Sequence, residues 1–414
     1  MDFEKFCQEN CVERKGTGTL KWDSLEEVFG DADLLPLWVA DMEIQSPPAA
    51  RQAIQARVEH GTFGYAKVTD DYYDAFFSWQ KNHHGVTLAK ENLRFATGVV
   101  GSLYAAVRAY TQPNDGVIIC PPVYYPFYDA ILNTGRTLVT CELDNHDGRF
   151  TLDLEKFEKT IAESKAKMFL LCSPHNPVCR VWTEEELEGM FAVCRKHGVL
   201  VVADEIHQDF TYDKDHAFFS TALLGDGQYK DMLILLNSGS KTFNLAGLIH
   251  SHVIIFDEKL METYDAYIKS IGSPEVNLMG VVAMGAAFRD GAAWFDQVKA
   301  LICHNYEYMV KEFAARRDLL VRLIAETPLL KANTPEGAFY VMLNISGVLG
   351  KRYQGAEITG SDSFAEMLIN AKQVAVVPGK AFGADDHVRM SYAISRENIA
   401  EGMRRIAEFV SELE

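Results

Sequence analysis

Basic residues are scarce in this 414-residue chain: 40 Lys and Arg stand against 58 Asp and Glu, a formal net charge of -18 at pH 7. A surface of that sign repels phosphate backbones and anionic lipid, so neither nucleic acid nor a membrane is an expected partner. Long apolar runs are lacking as well. No stretch approaches the roughly 20 residues that a membrane-spanning helix needs, and the opening MDFEKFCQEN has neither the basic nor the apolar segment of a secretory leader. The chain is therefore expected in the cytoplasm. Repeats and low-complexity tracts are absent from the sequence, and its eight cysteines are scattered, several inside apolar runs such as GVIIC and MFLLC. They read as buried thiols rather than bridges. Cys7 and Cys11 have the spacing of one helical face, yet no second ligand pair accompanies them, and no metal is expected. What is present is ordinary globular composition, 48% hydrophobic and 24% charged, in a chain long enough for a large core and a smaller companion.

Short apolar runs LRFAT, GVIIC, TLVTC, KMFLLC, VLVVAD, LILLN and HVIIF alternate with segments of helical period such as LYAAVRAY, LDLEKFEKTIAES and TEEELEGMFAVCRKHG. The last of these carries a Thr cap, acids in its first turn, and Lys and His before a closing Gly. Uninterrupted apolar strands taking turns with helices predict an α/β fold: a mainly parallel, seven-stranded sheet covered by helices on both faces. From about Gly280 the pattern changes to long helices, then short strands AFYVMLN, VAVVP and HVRMSYA and a final helix. This predicts a large domain over 49–286 and a smaller α+β domain built from 1–48 plus 287–414.

In an open parallel sheet, ligands collect beyond the carboxyl ends of the strands. The residues found there are GVVGS after LRFAT, PPVYYPF after GVIIC, SPHNP after KMFLLC, EIHQDF after VLVVAD and SGSK after LILLN. Each alone reads equally well as a cap or a turn. Together they direct glycine amides, a tyrosine, an asparagine, an aspartate and a lysine toward one crevice. A lysine amine condenses with an aldehyde cofactor, and a carboxylate keeps a pyridine nitrogen protonated so that the ring accepts electrons. Pyridoxal phosphate uses both, with an aromatic face, a donor to its phenolic oxygen, and amides or hydroxyls for its phosphate.

Over essentially its whole length the sequence resembles the fold-type I pyridoxal-phosphate enzymes of the aminotransferase class I/II superfamily. Within them it is most similar to the carbon-sulfur β-lyases of the cystathionine β-lyase type. PLWVADM, FGYAK, PVYYPF, SPHNPVCRVW, ADEIHQDF, SKTFNLAGL, PEGAFY and HVRMSYA carry that closer resemblance. It implies that Lys241 forms the Schiff base with pyridoxal 5'-phosphate, that Asp204 pairs with the pyridine nitrogen, and that Tyr124 stacks on the ring. Asn176 reaches the phenolic oxygen, helped by His207, where aminotransferases commonly place a tyrosine. The amides of Val99 and Val100 and the hydroxyls of Ser238 and Ser240 hold the phosphate, and Tyr65 reaches it from the other subunit of a homodimer. Arg389 clamps the substrate carboxylate, with Trp38 and Asn176 beside it.

The implied reaction is β-elimination from cystathionine, cysteine or another S-substituted L-cysteine, giving a thiol, pyruvate and ammonia. An aminotransferase is the alternative. A noncatalytic regulatory protein on the same fold is a third reading, against which the intact Lys241 and Asp204 stand. Two positions depart from the pattern. Ile249 stands eight residues after the lysine, where many aminotransferases have a phosphate-binding arginine. Cys179 stands where the resemblance leads one to expect glycine, so it imposes either a strained turn or an ordinary one.

Overall fold

The computed structural model describes residues 3–146, 148–212, 216–272, 276–323, 330–333 and 335–414. Seven of the apolar runs form one sheet: β1 (Leu93–Ala96), β2 (Gly116–Ile119), β3 (Thr137–Thr140), β4 (Met168–Cys172), β5 (Leu200–Asp204), β6 (Leu233–Asn237) and β7 (Ser251–Ile255), in the order β1-β7-β6-β5-β4-β2-β3. The fold is thus the predicted α/β type with a mostly parallel sheet. Only β7 runs against its neighbours, antiparallel to both β1 and β6.

Every residue of β2, β4, β6 and β7 is buried. Alternate side chains enter separate apolar layers: Met168, Leu170 and Cys172 of β4 join one, Phe169 and Leu171 the other. A strand with an apolar layer on each face has no polar face to show, so its sequence is continuously hydrophobic. Helix Glu184–His197 ends as its sequence predicts. Thr183 Oγ1 accepts from the Glu186 N–H at 3.1 Å, Glu186 Oε2 accepts from the Thr183 N–H at 2.9 Å, and Gly198 closes the helix at φ +66°.

A second, antiparallel sheet follows: β8 (Lys331–Ala332), β9 (Tyr340–Asn344), β10 (Val377–Pro378) and β11 (His387–Ser391), in the order β8-β9-β11-β10. The run VAVVP is not one strand. Val374 and Ala375 pair in parallel with Leu35 and Pro36, while Val377 and Pro378 pair with β11, so two partners divide the run at Val376. The N-terminal chain is thereby laid against this layer: Leu37 donates its N–H to Ala375 O and accepts one from Ser391, both at 2.9 Å. Its continuation, Trp38 to Ala40, is delivered to the carboxyl ends of the large sheet. Among the described residues no helix is long and apolar enough to cross a membrane.

Candidate active site

The parallel strands end level with one another, Cys172 of β4 opposite Asp204 and Asp204 opposite Leu236 of β6. The residues that follow them therefore meet. After β6, Ser238 caps a short helical turn, Gly239–Thr242, its Oγ accepting from the Ser240 N–H at 3.0 Å and lying 2.8 Å from Ser240 Oγ. Ser238 gives its own proton to His250 O at 2.7 Å, so Ser240 is the donor in the contact between the two hydroxyls. Gly239 answers a space constraint: a Cβ there would stand 2.8 Å from Met284 Sδ and 2.9 Å from Phe243 Cδ2. The turn raises Lys241 into the crevice, where Nζ donates to Ala40 O at 2.8 Å. Burial lowers its pKa from 10.5 to about 8; Asp41 and Asp204 oppose that shift and Arg389 reinforces it.

Asp204 ends β5 almost fully buried, its Oδ1 accepting from the Ile206 N–H at 3.1 Å. Burial raises its pKa from 3.8 to about 7, against the Ile206 N–H and the Lys241 charge. Both groups change charge near neutrality because the same desolvation pushes an acid up and a base down. His207 is buried against Phe339 and Tyr340, with ring centroids 5.8 Å away in each case, and its Nδ1 has no partner among the described residues. Burial, helped by Lys241 and Arg389, holds it well below the ordinary imidazole range, so it is neutral. Tyr124, half-buried, follows β2, and burial raises its phenol too.

Arg389 comes from β11 and is 4% exposed. Nη2 donates to Trp38 O at 2.8 Å and Nη1 to Asn176 Oδ1 at 3.3 Å, and the guanidinium lies 4.4 Å from the Tyr340 ring centroid and 5.0 Å from that of Phe382. Among the described residues no carboxylate pairs with it, and its Nε has no partner. A buried cation with neutral partners only is suited to an incoming carboxylate. Across the crevice, Gly98, at φ +97°, caps helix Val99–Tyr110, whose first N–H groups, including those of Val99 and Val100, lie at the positive end of the helix.

These elements bring Lys241, Asp204, Asn176, His207, Tyr124, Ser238, Ser240, Arg389 and Trp38 to one end of the large sheet. Tyr65 is not among them; its side chain is 92% exposed.

A sequence profile of the aminotransferase class I and II family matches residues 33–406. The chain belongs to that family. Cystathionine beta-lyase PatB of Bacillus subtilis is 33% identical to this class I and II chain over 402 residues, 96% of this chain and 98% of that protein. Two solved structures share the fold over nearly the full length of both chains. The PLP-bound C-S lyase from Staphylococcus hominis has a TM-score of 0.86 at 27% identity, covering 97% of each. Cystalysin from Treponema denticola, which contains pyridoxal 5'-phosphate, has a TM-score of 0.84 at 28% identity, covering 96% of this chain and 97% of that one.

Both departures from the family pattern have a visible place in this class I and II chain. Cys179 is fully buried at φ +58°, a conformation costing an L-residue about 1–2 kcal/mol. Its carbonyl accepts the N–H groups of Glu336 and Gly337 at 2.9 and 3.1 Å, and its Sγ lies 3.2 Å from Tyr340 O. Cys179 therefore belongs to a strained turn. Burial raises its pKa to about 12, so the thiol stays protonated and donates. Ile249 is 52% exposed at φ +47°. Its Cγ2 lies 4.0 Å from where a Gly98 Cβ would stand, so an apolar group faces the helix cap.

Sequence reading named Trp38 beside Arg389 but not its carbonyl as the contact, and it missed Ala40, Tyr340 and Phe382. The Ala40 and Trp38 carbonyls hold the two cations of the site, and Tyr340 with Phe382 flanks the guanidinium of Arg389. PEGAFY was the available signal for Tyr340.

Proposed function

We propose that this chain is a pyridoxal-phosphate-dependent carbon-sulfur β-lyase, acting in the cytoplasm on cystathionine, cysteine or related S-substituted L-cysteines to give a thiol, pyruvate and ammonia. The cofactor reading is carried by one observation: a lysine with pKa near 8, a buried carboxyl with pKa near 7 and a guanidinium with no carboxylate partner among the described residues share one crevice. The lyase reading rests on the full-length similarity to a protein named cystathionine beta-lyase. All eight cysteines are free thiols, in keeping with a reducing compartment.

The residues fit pyridoxal phosphate on grounds of their own. Buried nitrogens of Arg389 and His207 without a partner among the described residues, a helix amino terminus capped by glycine, and a reactive lysine answer its charges and its aldehyde. When bound, the cofactor supplies that aldehyde and a ring able to take up the electrons of a broken Cα–H bond. Ser240 Oγ and the Val99 and Val100 N–H groups bind the phosphate, while Ser238 shapes their turn. Asn176, its Oδ1 engaged by Arg389, keeps Nδ2 to donate to the phenolic oxygen, beside neutral His207. Tyr124 covers the ring face and excludes water from it. Asp204 holds the proton of the ring nitrogen. Lys241 Nζ, able to give and take a proton near neutral pH, acts as base toward Cα–H and as acid toward the departing sulfur. Arg389, with Trp38 beside it, exchanges neutral acceptors for the substrate carboxylate and so fixes the orientation of the Cα–H bond.

With cystathionine or another S-substituted cysteine and no added keto acid, pyruvate, ammonia and thiol are expected in equal amounts. Fast amino exchange that requires a keto acid, with no thiol from any cysteine derivative, would replace the lyase by the aminotransferase.

The division into 49–286 and 1–48 plus 287–414 places the crevice between two domains. The active form is a homodimer in which Tyr65 reaches the phosphate of the other subunit, a reading supported by the exposure of Tyr65 in the single chain. Mixing Tyr65→Phe subunits with Lys241→Ala subunits is expected to restore activity, because one site of each mixed dimer carries neither lesion. Demonstrated subunit exchange without recovery would confine Tyr65 to its own chain or deny it a role.

A further inference from the structure

Behind the catalytic turn lies a buried carboxylate that none of the roles above employs. Asp209 is 5% exposed, and three side chains from two separate elements converge on it. Thr242 Oγ1 donates to Oδ2; Trp79 Nε1 donates to Oδ1 at 3.1 Å and His84 Nε2 at 2.8 Å. Trp79 and His84 belong to helix Asp70–His84, and Thr242 directly follows Lys241. Asp209 itself is five residues beyond Asp204. The intervening chain is folded tightly, Gln208 N–H donating to Glu205 O at 3.0 Å and Phe210 N–H to His207 O at 2.9 Å, while Glu205 is tied to Ser220 and Thr221. A single contact thus joins the segment bearing Asp204 to the turn bearing Lys241.

We propose that Asp209 is a positioning residue: by holding Thr242 it fixes the Gly239–Thr242 turn and so keeps Lys241 Nζ at its buried place beside Ala40 and at a set reach from Asp204. The inference rests on the pyridoxal-phosphate reading of the site. The anchor is strong because a hydroxyl donating to a charged acceptor in a dry interior has no equivalent solvent partner to exchange with. Its carboxylate is faced by His84 and Lys299, and the hydrogen bonds from His84, Thr242 and Trp79 help outweigh burial and keep Asp209 ionised. The charged groups facing Lys241 are Asp41, Arg389 and Asp204, so Asp209 acts on it through position and not through its field.

A geometric anchor makes a prediction that a merely stabilising contact does not. Released from Thr242, the turn lets water reach Nζ, and desolvation is the largest influence on that amine. The test uses apoprotein and pyridoxal phosphate, following the visible absorbance as Lys241 takes up the aldehyde, across pH, with borohydride reduction and peptide mapping to confirm the site. In the unaltered protein, uptake is expected to rise with a midpoint near 8. Thr242→Val and Asp209→Asn are expected to slow uptake at pH 8 by about ten- to hundredfold and to move the midpoint up toward 10.5, while Thr242→Ser, which restores a hydroxyl, returns both to normal. Lower thermal stability with an unmoved midpoint would overturn the positioning role and leave a structural contact. Failure of the unaltered protein to take up the aldehyde at Lys241 would instead remove the cofactor reading, and this inference with it.

Discussion

Lys241→Ala protein is expected to turn over S-substituted cysteines about 100- to 10,000-fold more slowly than the unaltered enzyme, the range associated with loss of a positioned proton-transfer group. It is also expected to lose the borohydride-trappable link to pyridoxal phosphate. The size of the effect follows from the place of the amine. Nζ is buried in the crevice beside Ala40 O, and its pKa near 8 keeps a useful fraction unprotonated at neutral pH. The fold should survive, since the truncated side chain gives up one hydrogen bond to Ala40 O and relieves a desolvated charge. A variant with the same trapped adduct, or with near-normal turnover, would move the chemistry to another residue.

Asp204→Asn is expected to do two opposite things. In the loaded enzyme, loss of the charge that holds the ring proton should reduce turnover by at least about 100- to 1,000-fold, as when one preorganised electrostatic partner is removed. In the apoprotein the same change should stabilise. The folded carboxyl titrates near 7 and the unfolded one near 3.8. Between those values the folded chain keeps a proton that the unfolded chain has released. The group's favourable contribution is therefore full below about pH 4 and lost as pH rises through 7, a change of about 4 kcal/mol. Urea unfolding of the two apoproteins should coincide near pH 4 and diverge at pH 8 in favour of the Asp204→Asn protein. A less stable variant at pH 8 would show that the buried charge is not the cost inferred here, and near-normal turnover would take Asp204 out of the reaction.

The large sheet was legible because strands buried on both faces are mostly apolar along their length, so a turn to polar residues marks the end of a run. Asp204 is itself such an end, and Asn176 and Lys241 lie four residues beyond two others; only as a set did they point to one site, and the structure brings them together. Contacts made by backbone oxygen were invisible, since every residue owns one: nothing in WVAD distinguishes the carbonyls of Trp38 and Ala40. VAVVP could not be divided in sequence because both halves are equally apolar and only their partners differ. The Asp209–Thr242 contact spans 33 residues with no motif joining them. At Cys179 the sequence marked the departure, but the sign of φ belongs to the turn and not to the residue. The pairing of Met342 with Arg389 places Tyr340 on the guanidinium's own face of the sheet, a neighbourhood set by register alone.

Arg389 has one further consequence. Because Nη1 and Nη2 already rest on the Asn176 amide oxygen and the Trp38 carbonyl, a ligand at those two groups is weighed by exchange. An amine without a carboxylate offers nothing better than the acceptors in place, and an ester or amide offers only another neutral oxygen. A carboxylate brings charge and two parallel oxygens, and only that difference is retained as net affinity. On the proposed lyase reading, selection for α-amino acids over simple amines is thus built into the resting contacts, apart from any recognition of the sulfur end.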